Sequence, residues 1–212
     1  MKRTIFIILA AAISLLTAAP ASAATERTVL AGGCFWGVQA VFESLRGVKH
    51  VTAGYSGGAA ATAHYELVGT EMTGHAESVE IEFDPSQVSF NQLLDVYFLV
   101  AHDPTQLNRQ GPDEGSSYRS EIFYTSAAQQ REAAAYIAKL ERNHVFSAPI
   151  VTKLEPLRGF YPAEAYHQDY LVHNPDSGYI VANDIPKLKM LQAKFPRLVN
   201  PAAPAVRVAN AR

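Results

Sequence analysis

The chain is poor in cysteine: it has one, Cys34, in 212 residues. No disulfide can form within the chain, and a structural zinc site built on several cysteines is excluded. The seven histidines form no H-x-x-x-H pair on a predicted helix, so we expect no bound metal. A single thiol is either a small buried apolar group or a group kept for its reactivity.

The chain also lacks an excess of positive charge. Its 18 Lys and Arg residues are matched by 20 Asp and Glu residues, which gives a formal net charge of −2. Nucleic-acid-binding domains carry clustered basic residues, so nucleic acid is not an expected partner. Nothing in the sequence indicates an internal repeat or linker, and we expect one monomeric domain.

A long apolar run occurs only at the N-terminus. Lys2 and Arg3 precede an apolar stretch over residues 5–16, and Ala21-Ser22-Ala23 follows. This order is typical of a cleaved secretory signal peptide. The run is shorter than the roughly 20 residues that span a bilayer, although an uncleaved anchor stays the alternative. We expect residues 1–23 to be removed on export to the periplasm or the medium, with no stable membrane association afterwards.

Hydrophobic periodicity divides the rest of the chain into strands and helices. Strands are predicted at residues 28–31, 48–55, 76–83, 119–124 and 150–154, and helices at residues 35–45, 93–100, 127–143 and 186–194. This order predicts an α+β fold, a two-layer α/β sandwich or roll around a mixed β-sheet, in one domain over residues 24–195. The Ala- and Pro-rich tail, residues 196–212, is expected to be disordered. A polar loop over residues 102–117 is long enough to indicate a functional role.

Cys34 follows two glycines at a predicted strand-to-helix junction. Free backbone N–H groups and the helix dipole stabilise a thiolate there, so we predict a thiol pKa below the reference of about 8.5. Glu77 has the same parity as Val79 and Ile81 in an alternating strand, which places its carboxyl on the apolar face. A carboxyl there is either kept protonated, as a general acid would be, or solvated at the strand end.

Two other interpretations of Cys34 are compatible with these patterns. A cysteine peptidase or amidase pairs a helix-start cysteine with a distant histidine, and His75, His102, His167 and His173 are all eligible. A binding domain with an inert buried cysteine needs no partner at all.

Seven short motifs occur in order between residues 28 and 171. They are Gly33-Cys34-Phe35-Trp36-Gly37, Gly54-Tyr55-Ser56-Gly57-Gly58, Thr73-Gly74-His75-Ala76-Glu77, His102-Asp103-Pro104-Thr105, Asn108-Arg109-Gln110-Gly111-Pro112-Asp113, Tyr118-Arg119-Ser120 and Tyr166-His167-Gln168-Asp169-Tyr170-Leu171. In these motifs the chain resembles the class A peptide methionine sulfoxide reductases. The resemblance covers essentially the whole predicted domain.

The resemblance implies a thiol-dependent reductase that acts on methionine-S-sulfoxide, in oxidised proteins and as the free amino acid. Cys34 would attack the sulfoxide sulfur, and Glu77 would give a proton to the departing oxygen. The products would be methionine and a sulfenic acid on Cys34, which is the reversible first step of cysteine oxidation.

The same resemblance implies a substrate pocket. Its apolar wall for the S-methyl group would be Phe35 and Trp36, its hydrogen bonds to the sulfoxide oxygen would come from Tyr65 and Tyr118, and Asp113 would line it.

The chain departs from the family pattern in two places. Before Tyr65 it has Thr62-Ala63-His64 where the family usually has Asn-Pro-Thr, and Glu71 stands at a usual glycine. The C-terminal cysteines that many members use to resolve the sulfenic acid are also missing. We therefore expect an external thiol, such as thioredoxin, a glutaredoxin-like protein or a small-molecule thiol, to regenerate Cys34. No bound cofactor is expected.

Overall fold

The computed structural model describes residues 25–212, so the predicted signal peptide lies outside the described residues. The strands are β1 (Glu26–Gly32), β2 (Val48–Ser56), β3 (Ala76–Phe83), β4 (Arg109–Gln110), β5 (Asp113–Glu114), β6 (Ser120–Tyr124), β7 (Lys153–Pro156) and β8 (Phe160–Pro162). The α-helices are α1 (Phe35–Glu43), α2 (Tyr65–Val68), α3 (Phe90–Val96), α4 (Ala127–Arg142), α5 (Tyr170–His173), α6 (Ile185–Lys194) and α7 (Pro204–Asn210), and two π-helical segments, Tyr97–Ala101 and Ile180–Asp184, adjoin α3 and α6.

Six strands form one sheet in the order β7-β6-β1-β3-β2-β8. The β6–β7 pair is parallel and the other pairs are antiparallel, so the sheet is mixed. Strands and helices share one main hydrophobic core, and the α+β prediction of a single domain is confirmed. Strands β4 and β5 form a small separate hairpin inside the segment predicted as a long polar loop.

The main core lies between the sheet and α1. Helix α1 presents Val38, Val41 and Phe42, all at most 1% exposed, because apolar side chains three and four residues apart share one helix face. On β3, Val79 and Ile81 are completely buried, whereas the intervening Glu80 is only partly covered. This alternation is the period-two pattern predicted from the sequence.

The C-terminal segment is ordered, and the prediction of a disordered tail is wrong. Helix α7 begins at Pro204 and buries Ala205, Val206 and Ala209. The Asn200 N–H donates to the Ser44 carbonyl at 2.8 Å, which fastens the segment to the end of α1. Proline is favoured in the first turn of a helix. The Ala- and Pro-rich composition suggested disorder, but these residues form a short helix with one apolar face.

Among the described residues, none of the helices has the length and apolar character needed to cross a membrane.

Candidate active site

Cys34 lies in the tight connection between β1 and α1. Gly33, just before it, has φ +88°, a conformation that glycine adopts without cost. A Cβ on Gly33 would also stand 2.5 Å from Gln110 Cγ. The connection therefore needs glycine, and it leaves the Cys34 side chain only 7% exposed at the start of α1.

Glu77 stands beside this helix start. Its Oε2 accepts a hydrogen bond from the Phe35 backbone N–H at 3.0 Å, although the two residues are 42 positions apart in the chain. Glu77 is 4% exposed. Burial raises the pKa of its carboxyl to about 8, with a smaller contribution from the Asp113 charge, against the lowering effect of the Phe35 N–H. The carboxyl is therefore mostly protonated at neutral pH, which agrees with the first of the two alternatives that the sequence left open.

The prediction of a lowered thiol pKa for Cys34 is wrong. Burial raises the pKa well above its ordinary value, and the charges of Glu77 and Asp184 raise it further. The Trp36 N–H and the charge of Lys187 act in the opposite direction, but their effect is smaller. A helix terminus contributes about 1 kcal/mol, whereas burial shifts a pKa by up to 3–5 units. The resting site therefore holds a neutral thiol beside a neutral carboxyl.

Tyr65 and Tyr118 line a cavity of about 340 Å³ together with Glu77. Tyr65 opens α2, where its backbone N–H donates to Glu164 Oε1 at 3.0 Å. Tyr118 ends a single helical turn that precedes β6. Burial and the charge of Glu77 raise the pKa of both phenols. Both hydroxyls therefore keep their protons and can donate hydrogen bonds to a ligand oxygen.

Trp36 is held in place on α1 by three side chains. Its Nε1–H donates to His167 Nδ1 at 3.1 Å, which puts the proton of a neutral His167 ring on Nε2. Its indole stacks on Tyr170 at a centroid distance of 3.7 Å and meets Tyr179 edge-on at 5.8 Å. The indole is only partly buried, so it is available as a wall of the site.

Phe35 has a different environment from Trp36. Its ring is 1% exposed and packs 5.8 Å from the ring of Tyr55 and 5.0 Å from that of His167. The group of Phe35 that meets another site residue is its backbone N–H.

Asp113 comes from the β4–β5 hairpin, and its Oδ2 accepts a hydrogen bond from the Tyr179 hydroxyl. Burial raises the pKa of Tyr179, and the charges of Cys34 and Asp113 raise it further. Sequence reasoning missed Tyr179, because this residue lies outside the motifs that carry the resemblance.

A second missed group lies under α1. Asp184 is completely buried, and its Oδ1 accepts from Lys187 Nζ at 3.1 Å. A Cβ on Gly37 would be 1.9 Å from the same oxygen. The glycine one helical turn after Cys34 is therefore explained by the close approach of this ion pair. The sequence carries no periodic signal for Asp184.

No histidine in the described part of the chain forms a hydrogen bond with Cys34. His75 meets Gly58 N and Ala59 O, and His102 meets Tyr97 O and Ser120 Oγ. His167 is engaged by Trp36, and His173 is exposed. The geometry therefore gives no support to a cysteine peptidase. Residues 25–212 also contain no cluster of three or more His, Cys, Asp or Glu side chains suited to a metal ion.

The seven predicted site residues thus fall into one region. Asp113 lies close enough to raise the pKa of Glu77, and Tyr118 lies close enough for the ionised forms of Cys34, Glu77, Tyr65 and Asp113 to raise its pKa. The rings of Trp36 and Phe35 both pack against His167, at centroid distances of 5.9 and 5.0 Å.

The raised thiol pKa predicts slow alkylation of native Cys34 at neutral pH. The rate of modification by iodoacetamide should still be rising above pH 9, because only the thiolate reacts. Glu77→Gln should move this profile to lower pH, since the ionised carboxylate raises the pKa of the thiol. A rate that reaches its plateau below pH 8 in the wild type would contradict the prediction.

The chain is similar in sequence to known proteins of one family. The sequence model of the peptide methionine sulfoxide reductase family matches residues 26–198. The peptide methionine sulfoxide reductase MsrA 2 of Mesorhizobium japonicum is 55% identical over 181 residues, which cover 85% of this chain and 91% of that protein. MsrA 2 of a Synechocystis species is 51% identical over 171 residues, or 81% of this chain and 80% of that protein.

A solved structure agrees as well. The crystal structure of reduced Mxr1 from Saccharomyces cerevisiae is 32% identical and superposes with a TM-score of 0.69, covering 77% of this chain and 93% of that one. The chain therefore belongs to the peptide methionine sulfoxide reductase family.

Proposed function

We propose that the protein reduces the S epimer of methionine sulfoxide, in oxidised proteins and as the free amino acid, with Cys34 as nucleophile and Glu77 as proton donor. The main support for these roles is one hydrogen bond. The Phe35 N–H donates to Glu77 Oε2 at 3.0 Å, so the carboxyl is held next to the residue that follows Cys34. Family membership supports the reaction type, thiol-dependent reduction of methionine sulfoxide and protein repair.

The reaction transfers oxygen between two sulfur atoms. As Cys34 Sγ bonds to the sulfoxide sulfur, Glu77 gives its proton to the oxygen, and the thiol proton of Cys34 restores the Glu77 carboxyl. The S–O bond of the substrate and the new bond between the two sulfur atoms then break as the hydroxyl oxygen bonds to Cys34 Sγ, which releases methionine and leaves a sulfenic acid on Cys34. The substrate sulfur gains two electrons and the cysteine sulfur loses two.

The surrounding side chains orient the substrate. The hydroxyls of Tyr65 and Tyr118 donate hydrogen bonds to the sulfoxide oxygen as negative charge develops on it. Trp36 contacts the S-methyl group, and the buried ring of Phe35 packs against His167, which also contacts Trp36. Asp113 lines the site through its hydrogen bond with Tyr179.

Regeneration uses thiols from another molecule. The chain has one cysteine, so an external thiol attacks the sulfenic acid, which forms a mixed disulfide and water. A second thiol then releases reduced Cys34 as the external pair becomes a disulfide. Thioredoxin, a glutaredoxin-like protein or a small-molecule thiol can serve as this donor.

Export is part of the proposal and rests on the N-terminal pattern. We infer a periplasmic or secreted monomer. N-terminal sequencing of the mature protein from the producing cells should find Ala24 first, and a mature protein that retains Met1 and stays with the membrane would contradict export.

Substitutions at the two central residues test their roles. With a methionine sulfoxide substrate and dithiothreitol, Cys34→Ser should abolish turnover, and Glu77→Gln should lower the rate by about a hundredfold because the general acid is lost. In the wild type, the rate should fall as pH rises through about 8, where Glu77 loses its proton. Glu141→Gln, on the exposed face of α4, is the matched control. Wild-type activity in Glu77→Gln would contradict the role of Glu77.

The mass of the intact protein after one turnover without reductant tests the chemistry. We expect a gain of one oxygen on the wild type and none on Cys34→Ser. This measurement also separates the reductase from a binding domain with an inert cysteine, because slow alkylation at neutral pH is expected of both when burial raises the thiol pKa. A mass unchanged after exposure to a confirmed substrate would contradict the sulfenic acid.

A further inference from the structure

Glu71 has an unusual backbone for its residue type. Within residues 25–212, the non-glycine residues with positive φ are Glu71 (65°), Asn108, His144 and Asp169. Asn, Asp and His are several-fold enriched in this left-handed region, whereas glutamate is not. A residue held there without an intrinsic preference costs free energy, which the surrounding structure has to offset.

The side chain of Glu71 makes contacts that offset this cost. Its Oε2 accepts from Ser116 Oγ at 2.9 Å and from the Ser117 backbone N–H at 2.8 Å, and its Oε1 accepts from Ser117 Oγ at 2.5 Å. A Cβ on Gly115 would lie 2.4 Å from Glu71 Cδ. The carboxylate therefore packs closely against Gly115 and accepts hydrogen bonds from the two serines that follow it, in the turn over residues 115–118.

The charge state of Glu71 is set by the same contacts. Burial acts to raise its pKa, but the hydrogen bonds from Ser117 and Ser116 outweigh burial and leave the pKa below its usual value. Glu71 is therefore ionised at neutral pH, and its hydrogen bonds are the strong, charge-assisted kind.

Glu71 connects the two segments that carry the site tyrosines. Its backbone N–H donates to the Val68 carbonyl at 3.0 Å, which ties it to α2 and hence to Tyr65. Its carboxylate holds the turn that ends at Tyr118. Ser117, Tyr118, Tyr65 and Glu77 all line the same cavity.

We propose that Glu71 is a positioning residue, which clamps the turn over residues 115–118 to the end of α2 and so sets the distance between the Tyr118 hydroxyl and the sulfoxide oxygen. This inference rests on the proposed function of Tyr118. Glu71 also adds a negative charge near Glu77 and helps to keep that carboxyl protonated.

A glycine substitution tests whether the carboxylate of Glu71 matters or only its backbone turn. Glu71→Gly relieves the positive φ and removes the carboxylate, so activity would be unchanged if only the backbone conformation were needed. We expect kcat/KM to fall by about tenfold or more, the loss typical of charge-assisted hydrogen bonds. Glu71→Gln keeps an acceptor oxygen and should recover activity to within about threefold of the wild type.

A double-mutant cycle with Tyr118 tests how Glu71 acts. At about pH 6, where Glu77 keeps its proton because its pKa is raised to about 8, Glu71→Gly in a Tyr118→Phe background should lower kcat/KM by less than about twofold, because coupled residues are not additive. A general loosening of the fold would instead give the same loss in both backgrounds. Urea unfolding of each variant provides the folding control, and Glu141→Gln is again the charge control.

The alkaline limb of the pH profile provides a second readout. Loss of the Glu71 charge lets Glu77 ionise more easily, so Glu71→Gln should move the fall in rate from about pH 8 to lower pH. An unmoved limb together with additive losses in the cycle would overturn the clamp. A wild-type protein that reduces no methionine sulfoxide would overturn the proposed function instead, so the two failures are distinguishable.

Discussion

The hydrogen bond between the Phe35 backbone N–H and Glu77 Oε2 is the contact on which the site depends. Strand β1 pairs with β3 antiparallel, with Leu30 opposite Val79. Continued by two residues, this register brings Gly32 level with Glu77. The chain then turns at Gly33 and begins α1, so the thiol and the carboxyl come near each other in the middle of the sheet, where β1 ends and β3 begins.

Burial of this contact determines the chemistry of both groups. The low-polarity environment raises the pKa of Glu77 and also that of Cys34. A reactive thiolate at rest would be exposed to oxidation, whereas a neutral pair keeps its protons until a sulfoxide oxygen is present to accept one. The same burial keeps the phenols of Tyr65 and Tyr118 protonated. Burial is thus the common cause that keeps every proposed proton or hydrogen-bond donor to the sulfoxide oxygen in its protonated form.

The C-terminal segment has a structural role in this chain. Helix α7 packs its apolar face on the core, and the preceding residues are bonded to the end of α1, the helix that begins after Cys34. Because no second cysteine is present in the chain, this segment cannot resolve a sulfenic acid by disulfide formation. The buried Asp184–Lys187 pair lies against the same helix at Gly37 and contributes charge near the thiol.

Local patterns determined much of this protein. Period-two alternation was enough to place Glu77 on the core face, but it left open whether the carboxyl is protonated or solvated. Helical spacing was enough to place Cys34 at the start of α1. Ordered motifs identified Tyr65, Tyr118, Asp113 and Trp36 as one set. The features that the sequence alone could not predict depend on contacts between distant segments of the chain. The thiol pKa is set by burial under other elements. Tyr179 and Asp184 come from the segment just before α6, outside the motifs, and α7 is ordered only because the core receives its apolar face. The role of Glu71 is of the same kind, since a glutamate at a left-handed turn is explained only by the serines that fold against it.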